Sequence, residues 1–165
     1  MIEWSEEHRM YQDALRRFID AEIVPNLEAL EHGDLPPYDI LRKLYATFDI
    51  DEMARGRAAA TIERARREPS DAVPRTARGA DTSRNADVMA LQMILIKELC
   101  RYCPGMVTAM GVSVGLTAGA IQARGTLAQK ERWLLPLLTL EKIGAWAITE
   151  PGSGSDAFGA MEVSA

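Results

Sequence analysis

Apolar positions recur at helical spacing along most of this chain. Tyr11, Leu15, Phe18, Ile19, Ile23, Leu27 and Leu30 fall mostly three or four residues apart and form one stripe. Ser5 precedes the stripe as an N-cap, and Glu6 and Glu7 follow where the helix dipole favours acids. Pro25 interrupts it. Proline removes one backbone hydrogen bond and clashes with the preceding turn, so a kink or short break is expected near Val24. Helix should resume to about Glu31 and stop at Gly33-Asp34. Pro36-Pro37 opens the next segment, where Leu41, Leu44, Tyr45 and Phe48 predict a short amphipathic helix. Asp51 to Glu68 is rich in Ala, Arg and Glu with a weak apolar stripe, which predicts a surface helix of low stability.

Residues 69–85 read PSDAVPRTARGADTSRN and predict a flexible loop. From Val88 to Ile96 only Gln92 is polar, and a helix apolar nearly all round is expected to be buried. Between Arg101 and Arg124 lie 22 residues without a formal charge. That length would span a membrane, and Gly111, Gly115 and Gly119 repeat as in membrane helix dimers. Thr108, Ser113, Thr117 and Gln122 dilute the hydrophobicity. A buried helix of a soluble bundle, its glycine stripe admitting a neighbour, is expected rather than a membrane span. Gly125 stands where a C′ glycine ends a helix, and Thr126 with Gln129 makes a capping box for the next. Leu127, Trp133, Leu134, Leu137 and Leu138 supply that helix's inner face, Pro136 bends or ends it, and Glu141-Lys142 turns out of it.

The period then changes. Trp146-Ala147-Ile148-Thr149 alternates as a strand does, and Met161 to Ser164 offers at most the start of another. The fold class expected is mainly α: a helix bundle over residues 1–142, then the first strand or strands of a β-domain over residues 143–165.

Composition narrows the class. Apolar residues make up 47% of the chain, enough for a real core, and 19 basic against 24 acidic residues give a net charge of −5. That balance argues against nucleic-acid binding. Arg55, Arg57, Arg64, Arg66 and Arg67 form a local basic run, but Glu52, Glu63 and Glu68 flank or interrupt it, which reads as a solvated helix face. The start, MIEWSEEHRMY, is charged and amphipathic with no apolar signal-peptide core, so a cytoplasmic location is expected. Cys100 and Cys103 form a single C-x-x-C at a helix end. A structural zinc takes four ligands, and the only histidines are His8 and His32, so two ordinary cysteines are expected and no metal site.

The chemistry concentrates in IGAWAITEPGSGSDAFG, Ile143 to Gly159. Pro151, Gly152, Gly154 and Ser155 impose a tight turn after the apolar run. Glycines let a ligand approach the backbone closely, and consecutive N–H groups with the Ser153 and Ser155 hydroxyls suit a phosphate or an electron-rich ring edge. Trp146 offers a flat surface. The residues alone fit either a cofactor or anion turn or a plain solvated turn.

AWAITEPGSGSD, Ala145 to Asp156, resembles the signature of the acyl-CoA dehydrogenase family: Thr-Glu-Pro, two residues, then Gly-Ser-Asp, directly after an apolar strand. GTLAQKERWLLPLL, Gly125 to Leu138, resembles that family's helix before the signature. The resemblance covers the whole chain in outline and residues 125–159 closely. It implies an FAD enzyme that introduces a double bond between the α and β carbons of an acyl-CoA thioester. A carboxylate removes the α-proton, and the β-hydrogen leaves as hydride to the flavin. Electrons then pass to an electron-transferring flavoprotein, usually from a homo-oligomer. It further implies that Trp146 lies beside the flavin, that Ile148 and Thr149 meet its pyrimidine end, and that Ser155 lies near the FAD pyrophosphate and the acyl-CoA. Glu150 is read as structural, since the family's base lies in its C-terminal domain.

Residues 51–85 do not resemble the family's usual segment. No catalytic residue is expected in this chain, whose last residue, Ala165, falls in the first strands of a truncated middle β-domain. On this reading the isolated chain is inactive and holds FAD weakly or not at all. The alternative is a non-catalytic helical module that pairs with another chain or self-associates through exposed apolar surface.

Overall fold

In the computed structural model, the described residues are 4–67, 82–154, 159, 161 and 162. Helix α1 runs Glu6–Phe18, with the Ser5 hydroxyl accepting from the His8 N–H at 3.2 Å. The expected break at Pro25 is a change of winding rather than a gap. A wide π turn, Ile19–Ile23, passes into a tight 3₁₀ turn, Val24–Asn26, and then α2, Leu27–His32. The Val24 N–H bonds back to the Ile19 carbonyl, and Pro25, which has no N–H to donate, falls in the 3₁₀ turn that follows. Gly33 closes α2 at φ 83°, a conformation glycine adopts without penalty.

Helices α3, Tyr38–Thr47, and α4, Ile50–Arg67, follow, then α5, Thr82–Cys100. The loop expected over 69–85 therefore ends earlier, because 82–85 already belong to α5; residues 69–81 lie outside the described part. A long helical stretch, Pro104–Arg124, comprises α6, Pro104–Met110, a π turn, Gly111–Thr117, and α7, Ala118–Arg124. The last helical stretch comprises α8, Leu127–Gln129, a π turn, Lys130–Leu134, and α9, Leu135–Leu138. Its capping box forms as expected: the Gln129 N–H donates to Thr126 Oγ1 at 3.2 Å and Gln129 Oε1 accepts from the Thr126 N–H at 2.8 Å.

Two cores hold these helices. The larger joins Leu15, Ile19 and Ile23 of the first stretch to Leu41 and Leu44 of α3, Ile94 and Leu99 of α5, and Met106 of α6. The smaller sets Ala54 and Ala58 of α4 against Ala118, Leu134, Leu137 and Leu138. Val114, on the π turn, packs against both. Helix α4 lies on the surface as expected, and its two buried residues, Ala54 and Ala58, anchor it through alanine, which admits close packing but carries little hydropathy signal. On its outer side Arg66 pairs with Glu131 at 2.7 Å and Arg67 with Glu63 at 2.9 Å. The arginine run spends these charges on neighbouring acids, as a solvated face does.

Other expectations need correction. Helix α5 is not buried all round: Val88, Met89 and Met93 are exposed, while Ile94, Leu95 and Leu99 face the core. In Pro104–Arg124 only 17% of the most apolar window is buried. It is also the one described helix long and apolar enough, by length and composition, to cross a membrane. Nothing lies within 4 Å of a side chain added at Gly111, Gly115 or Gly119, so the glycine stripe admits no neighbour among the described residues. Gly125 is not left-handed but extended, at φ −65° and ψ 146°. A Cβ there would stand 2.6 Å from the Ile121 carbonyl oxygen, so close approach rather than positive φ asks for glycine. Leu127 is 36% exposed and leaves the inner face to Leu134, Leu137 and Leu138.

The feature that hydropathy hid is Glu98, whose side chain is 0% exposed on the inner side of α5. Its oxygens accept from Gln12 Nε2, from Arg16 Nε at 3.0 Å and Arg16 Nη2 at 3.2 Å, and from Arg101 Nη1 at 3.5 Å. Gln12 and Arg16 belong to α1, so this carboxylate ties α1 to α5 through charge-assisted bonds. Burial pushes the Glu98 carboxyl upward, but the bonds from Arg16 and Gln12 and the charges of Arg16 and Arg101 outweigh it, and the group titrates below its ordinary 4.5. Cys100 and Cys103 are both free, the first exposed and the second buried in the larger core. Among the described residues no cluster of three or more His, Cys, Asp and Glu could hold a metal.

Candidate functional site

The polypeptide leaves the helices through Leu140. That residue has φ 57°, a left-handed conformation usually reserved for glycine, yet its side chain is fully buried in the larger core. The burial offsets the backbone strain. Lys142 N–H reaches the Pro136 carbonyl at 2.9 Å and Arg42 Nε donates to the Leu140 carbonyl at 2.8 Å, which together fix the turn.

Past this turn the chain runs against the π turn of Pro104–Arg124. Gly144 N–H donates to the buried Ser113 Oγ at 3.0 Å, and Thr117 Oγ1 lies 3.3 Å from the Ala145 carbonyl oxygen. Trp146, Ala147, Ile148 and Thr149 follow, all exposed, with Trp146 at 44% and Ile148 at 37%. Three of the four residues that the signature nominated as cofactor contacts are therefore consecutive or nearly so on one surface segment. The fourth, Ser155, lies outside the described residues.

The local backbone differs from the strand expected. Ile143–Thr149 forms no ladder, and the single bridge nearby is Glu150 with Ser153, closed by bonds of 2.8 and 3.1 Å. Ile148 N–H turns back to the Trp146 carbonyl at 3.1 Å. Strand structure requires a partner, and among the described residues none pairs with this edge. Met161 and Glu162 are likewise irregular; residues 163–165 lie outside the described part. Glu150 Oε2 accepts from the Glu162 N–H at 2.9 Å, a bond that folds the later chain back onto the turn.

What this edge can do follows from its groups. It presents an indole face, a threonine hydroxyl, and the backbone N–H of Ala147 and Thr149, which make no hydrogen bond among the described residues. An aromatic plane beside a row of donors fits a flat heteroaromatic ring with acceptors along one edge. The Ile148 N–H joins that row only by giving up its bond to Trp146.

A separate open cleft of about 310 Å³ is lined by Arg42, Tyr45, Asp51, Arg55, Thr139 and Glu141, beside the Leu140 turn. Burial pushes the Tyr45 phenol up to about 12, against an opposing pull from Arg57, so the phenol stays protonated near neutrality. Arg42 and Arg55 are already paired with Asp39 and Glu52. Its one aromatic lining residue, Tyr45, is buried, whereas Trp146 is exposed on the edge.

Sequence reasoning found the exposed edge through its signature but missed what holds it. Ser113 and Thr117 were read only as residues that dilute an apolar helix. Their signal was that polarity, spaced four residues apart on one helical face.

Comparison with known proteins places the likeness in the helices that lead to this edge. A family model described as "Acyl-CoA dehydrogenase, N-terminal domain" matches residues 72–141. The short-chain specific acyl-CoA dehydrogenase of Megasphaera elsdenii is 35% identical over 85 residues, which is 52% of this chain and 22% of that protein. The mitochondrial short-chain specific acyl-CoA dehydrogenase of Mus musculus is 29% identical over 156 residues, 94% of this chain and 32% of that protein. A probable acyl-CoA dehydrogenase of Bacillus subtilis is 39% identical over 85 residues, 50% of this chain and 14% of that protein. The chain thus spans a third or less of the length of these relatives. No solved structure gives a significant match.

Proposed function

We propose that this chain, which matches the N-terminal domain of the acyl-CoA dehydrogenase family over residues 72–141, supplies the helical scaffold and one flavin-facing wall of an FAD-dependent acyl-CoA dehydrogenase. The carrying observation is the exposed Trp146–Thr149 edge, fixed to the helices immediately before the signature turn. Trp146 would lie along the isoalloxazine, with Thr149 and the freed backbone donors toward its pyrimidine oxygens and Ser155 toward the pyrophosphate and the acyl-CoA. The flavin, when bound, supplies the hydride acceptor for α,β-dehydrogenation. The chain's own groups bind and orient it. An electron-transferring flavoprotein would reoxidise it, and the working enzyme would be a homo-oligomer. The relatives' names make short-chain acyl-CoA thioesters the first substrates to assay.

The 165-residue polypeptide by itself is proposed to be inactive. Glu98 is buried and held by Arg16 and Gln12, and the Glu150 carboxylate accepts from the Glu162 N–H. Purified chain of verified intact mass should show no acyl-CoA-dependent dye reduction and no flavin absorbance after gel filtration. Turnover, or a stoichiometric flavin spectrum in that fraction, would sink this part of the reading. Flavin recovered only with a co-expressed neighbouring chain would support it.

A second reading has its own observation: Val88, Met89, Met93 and Leu116 are exposed on helices whose sequences are among the most apolar in the chain. A non-catalytic module that pairs through this surface would show it as association. Light scattering of the purified chain should give a mass that rises with concentration, and Met89→Lys with Met93→Lys should lower it. A constant monomer mass would remove this reading.

A further inference from the structure

The Trp146 edge is held by two hydroxyls of the neighbouring helix, and nothing in the reading above assigns them a role. Ser113 and Thr117 lie on the π turn, Gly111–Thr117, within an otherwise apolar stretch. Ser113 is fully buried and its oxygen accepts from the Gly144 N–H at 3.0 Å. Thr117 Oγ1 stands 3.1 Å from the Val112 carbonyl oxygen and 3.3 Å from that of Ala145, so its one proton serves both. The first contact is across five residues, the spacing of a π turn, and inserted turns of this kind recur at functional sites. Gly144 is pressed against the same residue: a Cβ added there would come within 2.7 Å of Thr117 Cβ. That atom is fixed to the helix backbone, so no rotamer change relieves the clash.

We propose that Ser113 and Thr117 are positioning residues for the flavin-facing wall. The π turn brings both hydroxyls to Gly144 and Ala145, one binding an N–H and the other a carbonyl. Two successive residues of the chain are thereby fixed in place and direction immediately before Trp146. The indole then follows a segment clamped to a helix rather than a free tail, which limits the ordering that ligand binding must impose. Gly144 is required because the segment must touch the helix for these bonds to form. The inference rests on the reading that Trp146 faces the flavin, but the clamp itself is measurable without flavin.

The test uses the 165-residue chain and backbone nuclear magnetic resonance. Ser113→Ala should speed hydrogen exchange at the Gly144 amide about tenfold, the loss expected for one buried hydrogen bond. Exchange through Pro104–Arg124 should stay within a factor of about two, on the same basis. Thr117→Val should shift the Ala145 carbonyl carbon, and Thr117→Ser, which keeps the hydroxyl, should restore it. Gly144→Ala should produce both changes together. Unchanged Gly144 exchange in Ser113→Ala overturns the proposal, whatever the flavin measurements give. Faster exchange along the whole helix also overturns it, because that marks a merely structural role. If the clamp behaves as expected but Trp146→Ala leaves the flavin content of the co-expressed assembly unchanged, the flavin-facing reading falls and the positioning stands.

Discussion

Replacing Glu98 by alanine is expected to destabilise the folded chain by about 3–5 kcal/mol, the usual cost of removing one partner from a buried ion pair. The side chain is fully buried, and its loss strands the amide of Gln12, itself only 9% exposed, between α1 and α5. Arg16 is 41% exposed and can return partly to water, which places the value toward the lower end of that range. Set against a typical total of about 5–15 kcal/mol, the variant should be close to unfolding at ordinary temperature. Glu98→Gln should lose less, since an amide oxygen can still accept from Gln12.

The same group shapes the acid limb. Because Glu98 titrates below 4.5 when folded, its stabilisation is complete above that value. It is lost as pH falls through the lower folded value. Wild type should therefore weaken below 4.5, and Glu98→Gln should lack that part of the slope. Urea midpoints at neutral pH and at several acid values check both statements. A neutral-pH loss under about 1 kcal/mol would rank this pair with exposed ones and refute the argument.

The second large effect is expected at Leu140. Two terms oppose each other there. Left-handed backbone costs a leucine about 1–2 kcal/mol, which glycine would not pay. Removing a fully buried leucine side chain costs about 2–5 kcal/mol. Leu140→Ala keeps the strain and loses the packing, so it should fall within that 2–5 kcal/mol range. Leu140→Gly relieves the strain but adds about 0.5–1 kcal/mol of chain entropy and loses the same packing, so it should land close to alanine. Leu140→Val should cost more than the about 0.5–1.5 kcal/mol of an ordinary methyl deletion, because a β-branched residue suits positive φ worst. Thermal or urea unfolding of the three variants decides it. A glycine variant more stable than wild type would show that strain, not burial, dominates at the helix exit.

Much of the helical part was legible in the sequence because local rules set it. Ser5, Gly33 and the Thr126–Gln129 box mark ends that depend only on neighbouring residues. Pro25 marks a break whose form, a π turn followed by a 3₁₀ turn, was not readable, since it depends on which winding best keeps Ile19 and Ile23 in the core. The alanine face of α4 escaped detection because hydropathy counts alanine weakly, although a close-packed helix pair needs it. Glu98 was readable in principle: it shares a face with Ile94, Leu95 and Leu99, and an acid at that spacing demands a partner. Its partners, Gln12 and Arg16, stand 86 and 82 residues away, beyond any local pattern.

The site divides in the same way. The signature from Ala145 to Asp156 nominated Trp146, Ile148, Thr149 and Ser155 from residue identity alone. A strand was expected over part of it because alternation is a local property, but a strand exists only when another backbone pairs with it, and none does so among the described residues. The sequence by itself thus determined several helix ends, the apolar stripe of the first helices and the chemical character of the edge. Those depend on covalent identity and on spacing within a few residues. Only the tertiary structure decided that Glu98 would join α1 to α5, that Leu140 would take a left-handed turn to stay in the core, and that Ser113 and Thr117 would grip Gly144 and Ala145. Each of these pairs groups remote in sequence or sets strain against burial, and that balance is settled only when the helices pack.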